Sequence, residues 1–391
     1  MSFEDSRGEV IERLVGYVAR QLPHDEAPLV KNFIRQYYLS VSAEDLSTRS
    51  ILDLYGAVVS HWHYLYQRQP GQAKVRAFNP QVEKDGWQSI HTIIEIAFDD
   101  MPFLVDSVMI ALNRLNLNIH LLIHMGNLKL SRDVEGKIQS VLERGTVDDN
   151  YISEAAIYIE IDRQSDLSIL QNIEEELKQV LMDVRTVVAD WPKMRDKALE
   201  LVSEFERTPM SIDTADAEES LAFLKWLADD HFTFLGYVEC KIEGQDLKSA
   251  TCEVVSGSEL GIAKFKKYSA THRSLADFPE EAIKLVLSSQ FLILGKTETR
   301  SIIHRPAYTD FISVKRFNSK GQVVGEQRFL GLYTAFTYNS SPKQIPYLRR
   351  KVNNVLSLAG FVPKSHDDRA LLNILETLPR DELFQASEQE I

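Results

Sequence analysis

Between Ser89 and Leu115 the hydrophobic period of the chain switches within a few residues. The run SIHTIIEIAF (89–98) is rich in β-branched residues, and directly after it Leu104, Val108, Leu112 and Leu115 recur at helical spacing. A strand that runs straight into a helix needs a sheet for the helix to cover, which points to mixed α+β architecture. The pattern continues with LNIHLLIH (117–124) and EAAIYIEI (154–161) as strands, and SRDVEGK (131–137) reads as a hairpin connection. In the following helix Leu170, Ile173, Leu177, Val180, Val184, Val187 and Trp191 alternate at three- and four-residue intervals. This seam is expected to cover the sheet, with an inter-subunit coiled coil as the alternative, and Pro192 is expected to break or kink the helix. The result is a βαββα(β) unit.

Three helices precede it. Their stripes are Val10, Leu14 and Val18; Leu29, Phe33 and Tyr37; and Leu52, Tyr55, Val59, Trp62 and Tyr66. SAED (42–45) fits a capping box, and QPG (69–71) a stop. Beyond helices near 193–206 and 217–228, a second β-rich region holds HFTFLGYVECKI, ATCEVV, FLIL, DFISVKRF and QVVGEQRFLGLYTAF, with a helix near 279–288 and an NSKG turn (318–321). The tail is helical: 346–358 stops at Gly360, and Ser365 with Asp368 caps HDDRALLNILETL. The expected organisation is 1–72 helical segment, 85–192 first α+β domain, 193–229 linker helices, 230–340 second α+β domain and 343–391 helical tail.

A length of 391 residues allows about two or three domains. No run approaches the roughly 18 apolar residues of a membrane span, and MSFEDSRGEVIERL lacks a basic leader with an apolar core, so a cytoplasmic location is expected. A net charge of -13 argues against nucleic acid and anionic lipid as partners. Cys240 and Cys252 lie in separate strand-like segments, without the number or spacing of a disulfide framework or thiolate metal site, and are expected to be reduced and structural.

The stretch FDDMPFLVDSV (98–108) is the main candidate site. Adjacent carboxylates at a strand end point apart, which disfavours an acid/base pair, and a hard-cation site needs more oxygen ligands close by. The structural expectation is that Asp99 or Asp100 caps the helix, Pro102 sits in its first turn and Asp106 complements its dipole. The functional expectation is that the amides of the helix start receive the carboxylate of a small molecule, with Asp99, Asp100, Met101, Pro102 and Phe103 as effector-binding residues. No catalytic, cofactor-binding or metal-binding residue is expected. His61 and His63 lie about 200° apart on their helix, and His120 and His124 roughly 13 Å apart along a strand. His231 and His304 read as packed histidines, and SGSELG (256–261) is neither a phosphate loop nor a dinucleotide fingerprint.

The stretches DLYGAVVSHW, FNP, GWQSIHTIIEIAFDDMPFLVDSV, HFTFLGYVE, SIIHRPAYTDFISVKRF, VVGEQRFLGLYTAF and SHDDRALLNILETLPRDELFQ, in this order between about Asp53 and Gln385, resemble the N-terminal region of the large bacterial NAD-specific glutamate dehydrogenases. The resemblance implies that 85–192 is an ACT-like domain and 230–340 a PAS-like antiparallel-sheet domain. It also implies a catalytic domain, using NAD, beyond Ile391, and no cofactor in this segment. ACT domains that bind amino acids commonly place the ligand at the first strand-to-helix turn, often at an interface with a second ACT domain. A glycine follows the proline in the familiar form of that motif, and Phe103 stands in its place here. The function this implies is a non-catalytic regulatory and oligomerisation segment of a glutamate dehydrogenase that converts glutamate, NAD and water to 2-oxoglutarate, ammonium and NADH. Expected partners are further copies of the chain, the catalytic domain and a small amino-acid effector. The rivals are a freestanding ACT-type amino-acid sensor and an independent hydrolase or metalloenzyme.

Overall fold

β-Branched residues on both faces of the 92–99 strand put it in the middle of a layered unit. In the computed structural model, which describes residues 3–24, 26–207, 214–245, 250–265, 272–274 and 279–391, the chain forms two compact units. The first comprises Met1–Arg185 with Ile302–Arg305, and the second Thr186–Ser301 with Pro306–Ile391.

The first unit opens with α1 (Phe3–Gln21), α2 (Ala27–Tyr37), α3 (Ala43–Ser47) and α4 (Ile51–Tyr66), followed by β1 (Lys74–Phe78) and the short α5 (Val82–Asp85). Then come β2 (Thr92–Asp99), α6 (Leu104–Arg114), β3 (Ile119–Arg132), β4 (Ile138–Val141), β5 (Ile152–Ile161) and α7 (Leu167–Arg207), whose residues from Thr186 on belong to the second unit. The sheet is antiparallel throughout, in the order β1-β2-β5-β3-β4. β5 lies between β2 and β3, so the β2–α6–β3 connection is a split βαβ. The edge strands β1 and β4 had no clear sequence signal, being four or five residues long with two charged residues in β1 and two polar ones in β4.

Both faces of this sheet are covered. Ile93 and Ala97 of β2 and Ala156 and Tyr158 of β5 share a core with Leu14, Val18, Phe33, Tyr37, Trp62 and Leu65 of the helical layer. On the other parity, Ile94, Ile96, Phe98, Ile157 and Ile159 are also fully buried. Helix α7 keeps its seam residues from Leu170 to Val184 buried within this one chain, as expected of a helix that covers a sheet. The helix runs unbroken past Pro192, correcting the expected break. Pro192 is exposed, on a side where water can meet the carbonyl it leaves without a donor. Helix α4 is apolar around most of its circumference, and the stripe chosen from sequence was partly wrong: Leu52 is 61% exposed, whereas Leu54, Val58, His61 and Leu65 are buried.

The face of the sheet under the helical layer carries three buried glutamates, each met by arginine. Glu95 accepts from Arg76 Nε at 2.6 Å and from Ser60 Oγ at 3.0 Å. Glu160 forms a two-pronged pair with Arg49 at 2.6 and 2.8 Å. Glu154 accepts from Arg132 Nε at 2.7 Å and Nη2 at 2.8 Å, and from Arg68 Nε at 3.1 Å. Beside them His61 is fully buried, its Nδ1 3.0 Å from the Tyr37 hydroxyl and its Nε2 3.2 Å from the Ile96 carbonyl. Since a carbonyl only accepts, Nε2 carries the proton and the Tyr37 hydroxyl donates to Nδ1.

The second unit contains α8 (Thr214–Trp226), β6 (Phe232–Glu243), β7 (Thr251–Val254), β8 (Leu260–Gly261), β9 (His272–Ser274), α9 (Glu280–Leu287), β10 (Leu292–Arg300), β11 (Tyr308–Phe317) and β12 (Val323–Tyr333). Helices α10 (Ala335–Asn339), α11 (Leu348–Leu358), α12 (His366–Thr377) and α13 (Arg380–Gln385) follow. Its antiparallel sheet has the order β10-β11-β12-β6-β7-β9, with β8 beside β6. The NSKG turn closes as expected: Asn318 Oδ1 accepts from the amides of Lys320 and Gln322, and Gly321 takes φ +75°. Ser365 accepts from the Asp368 amide at 3.2 Å to start α12. Lys315, fully buried on β11, donates to the carbonyls of Leu285 and Ser288 and so caps the end of α9.

Two expectations follow for the first unit. Glu154→Gln leaves Arg68 and Arg132 buried without their common counter-charge, and urea denaturation should show a loss of about 3–5 kcal/mol. Burial holds the His61 imidazole down from its ordinary 6.5 to about 3, against the opposing pull of the Ile96 carbonyl. The folded value lies below the unfolded one, so the stability contributed by neutral His61 is complete above pH 6.5 and drains away as the pH falls toward about 3. In that window His61→Gln should flatten the dependence of unfolding free energy on pH by up to about 1.4 kcal/mol per pH unit.

Candidate functional site

The end of β2 sends its two aspartates to opposite faces, as adjacent residues of a strand must. Asp99 turns toward the helical layer, where it accepts from Arg68 Nη2 at 2.7 Å, Arg185 Nη2 at 2.5 Å and the Gly71 amide at 3.1 Å. Burial alone would raise its carboxyl, but these donors outweigh it and hold the group below the usual range. Asp100 turns the other way and accepts from the Asn127 amide at 2.8 Å, while its own amide donates to the Ser153 carbonyl at 3.1 Å. Asn127 sits in the bulge of β3 with φ +55°. Asp100 therefore ties the end of β2 to β3 and β5.

Neither aspartate caps α6, which corrects the expectation from sequence. The cap position belongs to Phe103, which makes no side-chain cap bond, and Pro102 lies in the turn before the helix instead of in its first turn. Asp106 is in the first turn, as expected from the dipole. Phe103 has φ +73° and ψ 0°, the left-handed conformation that suits glycine. The turn thus keeps the geometry of its glycine-bearing form while presenting an aromatic ring.

That ring packs at 4.9 Å from the ring of His304, itself at φ +70°. The His304 amide donates to the buried Ser107 Oγ at 3.3 Å, and its Nδ1 lies 3.8 Å from Asp106 Oδ2. Burial lowers the His304 imidazole, with Arg305 adding to the effect and Asp106 opposing it. His124, whose ring comes close to Gly126 and which has no hydrogen-bond partner at Nε2 among the described residues, is lowered mainly by burial. Phe103, Asn127 and His304 are all non-glycine residues at positive φ, and they meet at one corner. Such clusters of backbone strain mark sites held in place by their surroundings.

The five residues chosen from sequence therefore form one corner, but its carboxylates are already occupied as acceptors for fixed donors. Sequence reading did not associate Asn127, Ser153 or His304 with it. Asn127 hides in a strand bulge, and His304 is brought in from nearly 200 residues away, a pairing with no local signature.

A second concave region lies in the same unit. A cavity of about 510 Å³ opens between the helical layer and the sheet, lined by Tyr38, Arg49, Trp87, His91, Tyr158 and Glu160 among others. Its size falls within the range of small-molecule sites. Trp87 is placed by a close approach to Gly56 of α4, where a Cβ would come within 2.4 Å of the indole side chain.

The profile of the glutamate dehydrogenase ACT1 domain matches residues 33–177, which contain the cavity lining and the Asp99–Phe103 turn but not His304 or Arg185, and that of glutamate dehydrogenase helical motif 1 matches residues 345–391. The NAD-specific glutamate dehydrogenase of Halomonas elongata is 41% identical over 389 residues, 99% of this chain and 24% of that protein. This chain belongs to the NAD-specific glutamate dehydrogenase family. It corresponds to the N-terminal region of those proteins. The glutamate dehydrogenase of the same name from Pseudomonas aeruginosa is 34% identical over 99% of the chain and 24% of its own length. The one from Mycobacterium tuberculosis is 26% identical over 76% of the chain and 17% of its own length. The chain thus spans about a quarter of the length of the first two of these glutamate dehydrogenases. Among the described residues no helix is long and apolar enough to cross a membrane.

If the left-handed backbone at 103 is intrinsic to the turn, two truncations should separate it from the ring contact. Phe103→Ala keeps the strain and loses the ring, whereas Phe103→Gly loses both, so thermal or urea unfolding should find the glycine variant more stable than the alanine variant by about 1 kcal/mol.

Proposed function

We propose that this chain is the regulatory and assembly segment of an NAD-specific glutamate dehydrogenase of the cytoplasm. In the whole enzyme the rest of the protein carries out the oxidative deamination of glutamate to 2-oxoglutarate and ammonium with NAD as oxidant. The observation that carries this reading is the match of the glutamate dehydrogenase ACT1 domain to residues 33–177, together with relatives aligned along 99% of the chain. The fixed donors that Asp99 and Asp100 serve support a structural role for this pair. The second unit, an open antiparallel sheet flanked by helices, acts as a PAS-type structural module. Contacts between copies of the chain, and with the catalytic domain, set the assembly.

A small amino acid docks its carboxylate at the start of α6, beside Met101, Pro102 and Phe103, and biases the enzyme by binding one arrangement more tightly than another. A second location, favoured by its open volume and by the Arg49–Glu160 pair on its wall, is the cavity between helical layer and sheet. Calorimetry with the common amino acids distinguishes the two. Pro102→Glu places a like charge at the mouth of α6 and should weaken binding there at least tenfold, whereas Thr48→Trp, at another residue of the cavity wall, should block only the cavity. The chain on its own should form no NADH from glutamate and NAD. Turnover by the chain, or the absence of saturable heat with every amino acid tried, would refute the corresponding half of the reading.

A further inference from the structure

The sheet of the second unit brings together three side chains that lie far apart in sequence. Cys240 on β6 stands directly opposite Glu326 on β12, and Cys252 on β7 is two residues from the partner of Cys240 on the same face. All three are buried, and both sulfurs and a carboxylate oxygen lie within 4.8 Å of one another. Ile242, Ala250, Ile283 and Val323 surround the cysteines with apolar surface. Half-buried Arg328 pairs with Glu326 and brings Nη2 to 3.9 Å from the Cys252 sulfur, and the Ser313 hydroxyl donates to the other oxygen of Glu326.

We infer that Cys240, Cys252 and Glu326 form a binding site for one thiophilic divalent cation of the zinc class. Two sulfurs and one carboxylate oxygen are a donor set that zinc accepts, and tetrahedral coordination at normal bond lengths places such atoms about 3.7 Å apart. Donor atoms already within 4.8 Å need to close by about 1 Å or less to reach it.

The charges support the assignment. Without the ion, Glu326 and Arg328 cancel and the two thiols are neutral. When the ion binds, both thiols give up their protons to solvent, and two thiolates plus one carboxylate are balanced by the dication plus Arg328. The buried cluster is neutral in both states, so the ion enters without leaving an uncompensated charge in the apolar interior. Arg328 and Ser313 then act as outer partners that orient the carboxylate. The alternative, two ordinary core thiols beside the Glu326–Arg328 pair, predicts no saturable binding of such an ion.

The test uses the whole chain, reduced and freed of metal, titrated anaerobically with cadmium or cobalt(II) ions. The expected result is saturation at one equivalent, a thiolate-to-metal charge-transfer band in the near ultraviolet, and release of about two protons per ion. Cys240→Ser and Cys252→Ser should each abolish the one-equivalent phase, and Glu326→Gln should weaken it at least tenfold while keeping the band. Circular dichroism on each variant separates loss of the site from loss of the fold. The wild-type titration stands without any variant: no charge-transfer band at one equivalent, with both thiols titratable in the unfolded protein, overturns the assignment. So does undiminished binding by a folded protein that lacks both cysteines.

Discussion

The first unit depends on carboxylates that a sheet holds away from water. Glu95, Glu154 and Glu160 sit on adjacent strands where hydrophobic residues would be the ordinary occupants, and each is met by at least one guanidinium. A buried pair of this kind adds little net stability when compared with an apolar pair, but it makes every wrong arrangement expensive, because a shifted helix would strand a charge. The arginines come from four separate places, the α3–α4 connection, the segment after α4 and strands β1 and β3, and the first two register the helical layer on the sheet. Apolar contact alone, being non-directional, would let those helices slide.

The same logic shapes the corner at the end of β2. Asp99 completes the Arg68 and Arg185 cluster on one face, and Asp100 fastens the β3 bulge on the other. Their adjacency, which suggests paired chemistry when met in the sequence, is how one strand end can serve two faces at once. The left-handed residue that follows lets the chain turn sharply into α6. Phe103 tolerates that conformation because the His304 ring and the Ser107 hydroxyl fix what packs against it.

Much of this was legible beforehand, and the parts that were not have physical reasons. The period change at 98–103 announced β2 and α6, and the alternating three- and four-residue seam announced α7 and its buried face, because both patterns are local. Strands β1 and β4 were silent since edge strands need few apolar residues. The burial of Glu95, Glu154 and Glu160 could not be read at all: a glutamate in a strand, between isoleucines at 95 and 160, looks like solvent-facing alternation until the arginine that covers it is placed. Pro192 misled for the converse reason, since a helix clamped by packing on its inner side tolerates a missing donor on its outer one. Cys240 and Cys252 are free and buried, as expected, but linear spacing carries no sign that strand pairing sets them beside Glu326.

The assignment of Ile302–Arg305 to the first unit has a practical side. That unit is discontinuous, with four of its residues encoded more than a hundred positions after the rest. A shortened protein ending at Arg185 would lack the imidazole that covers Phe103 and the amide that bonds to Ser107, so its turn into α6 would be barer than the native one. Any affinity recorded on such a fragment would describe an uncovered version of the corner and should not be transferred to the intact polypeptide.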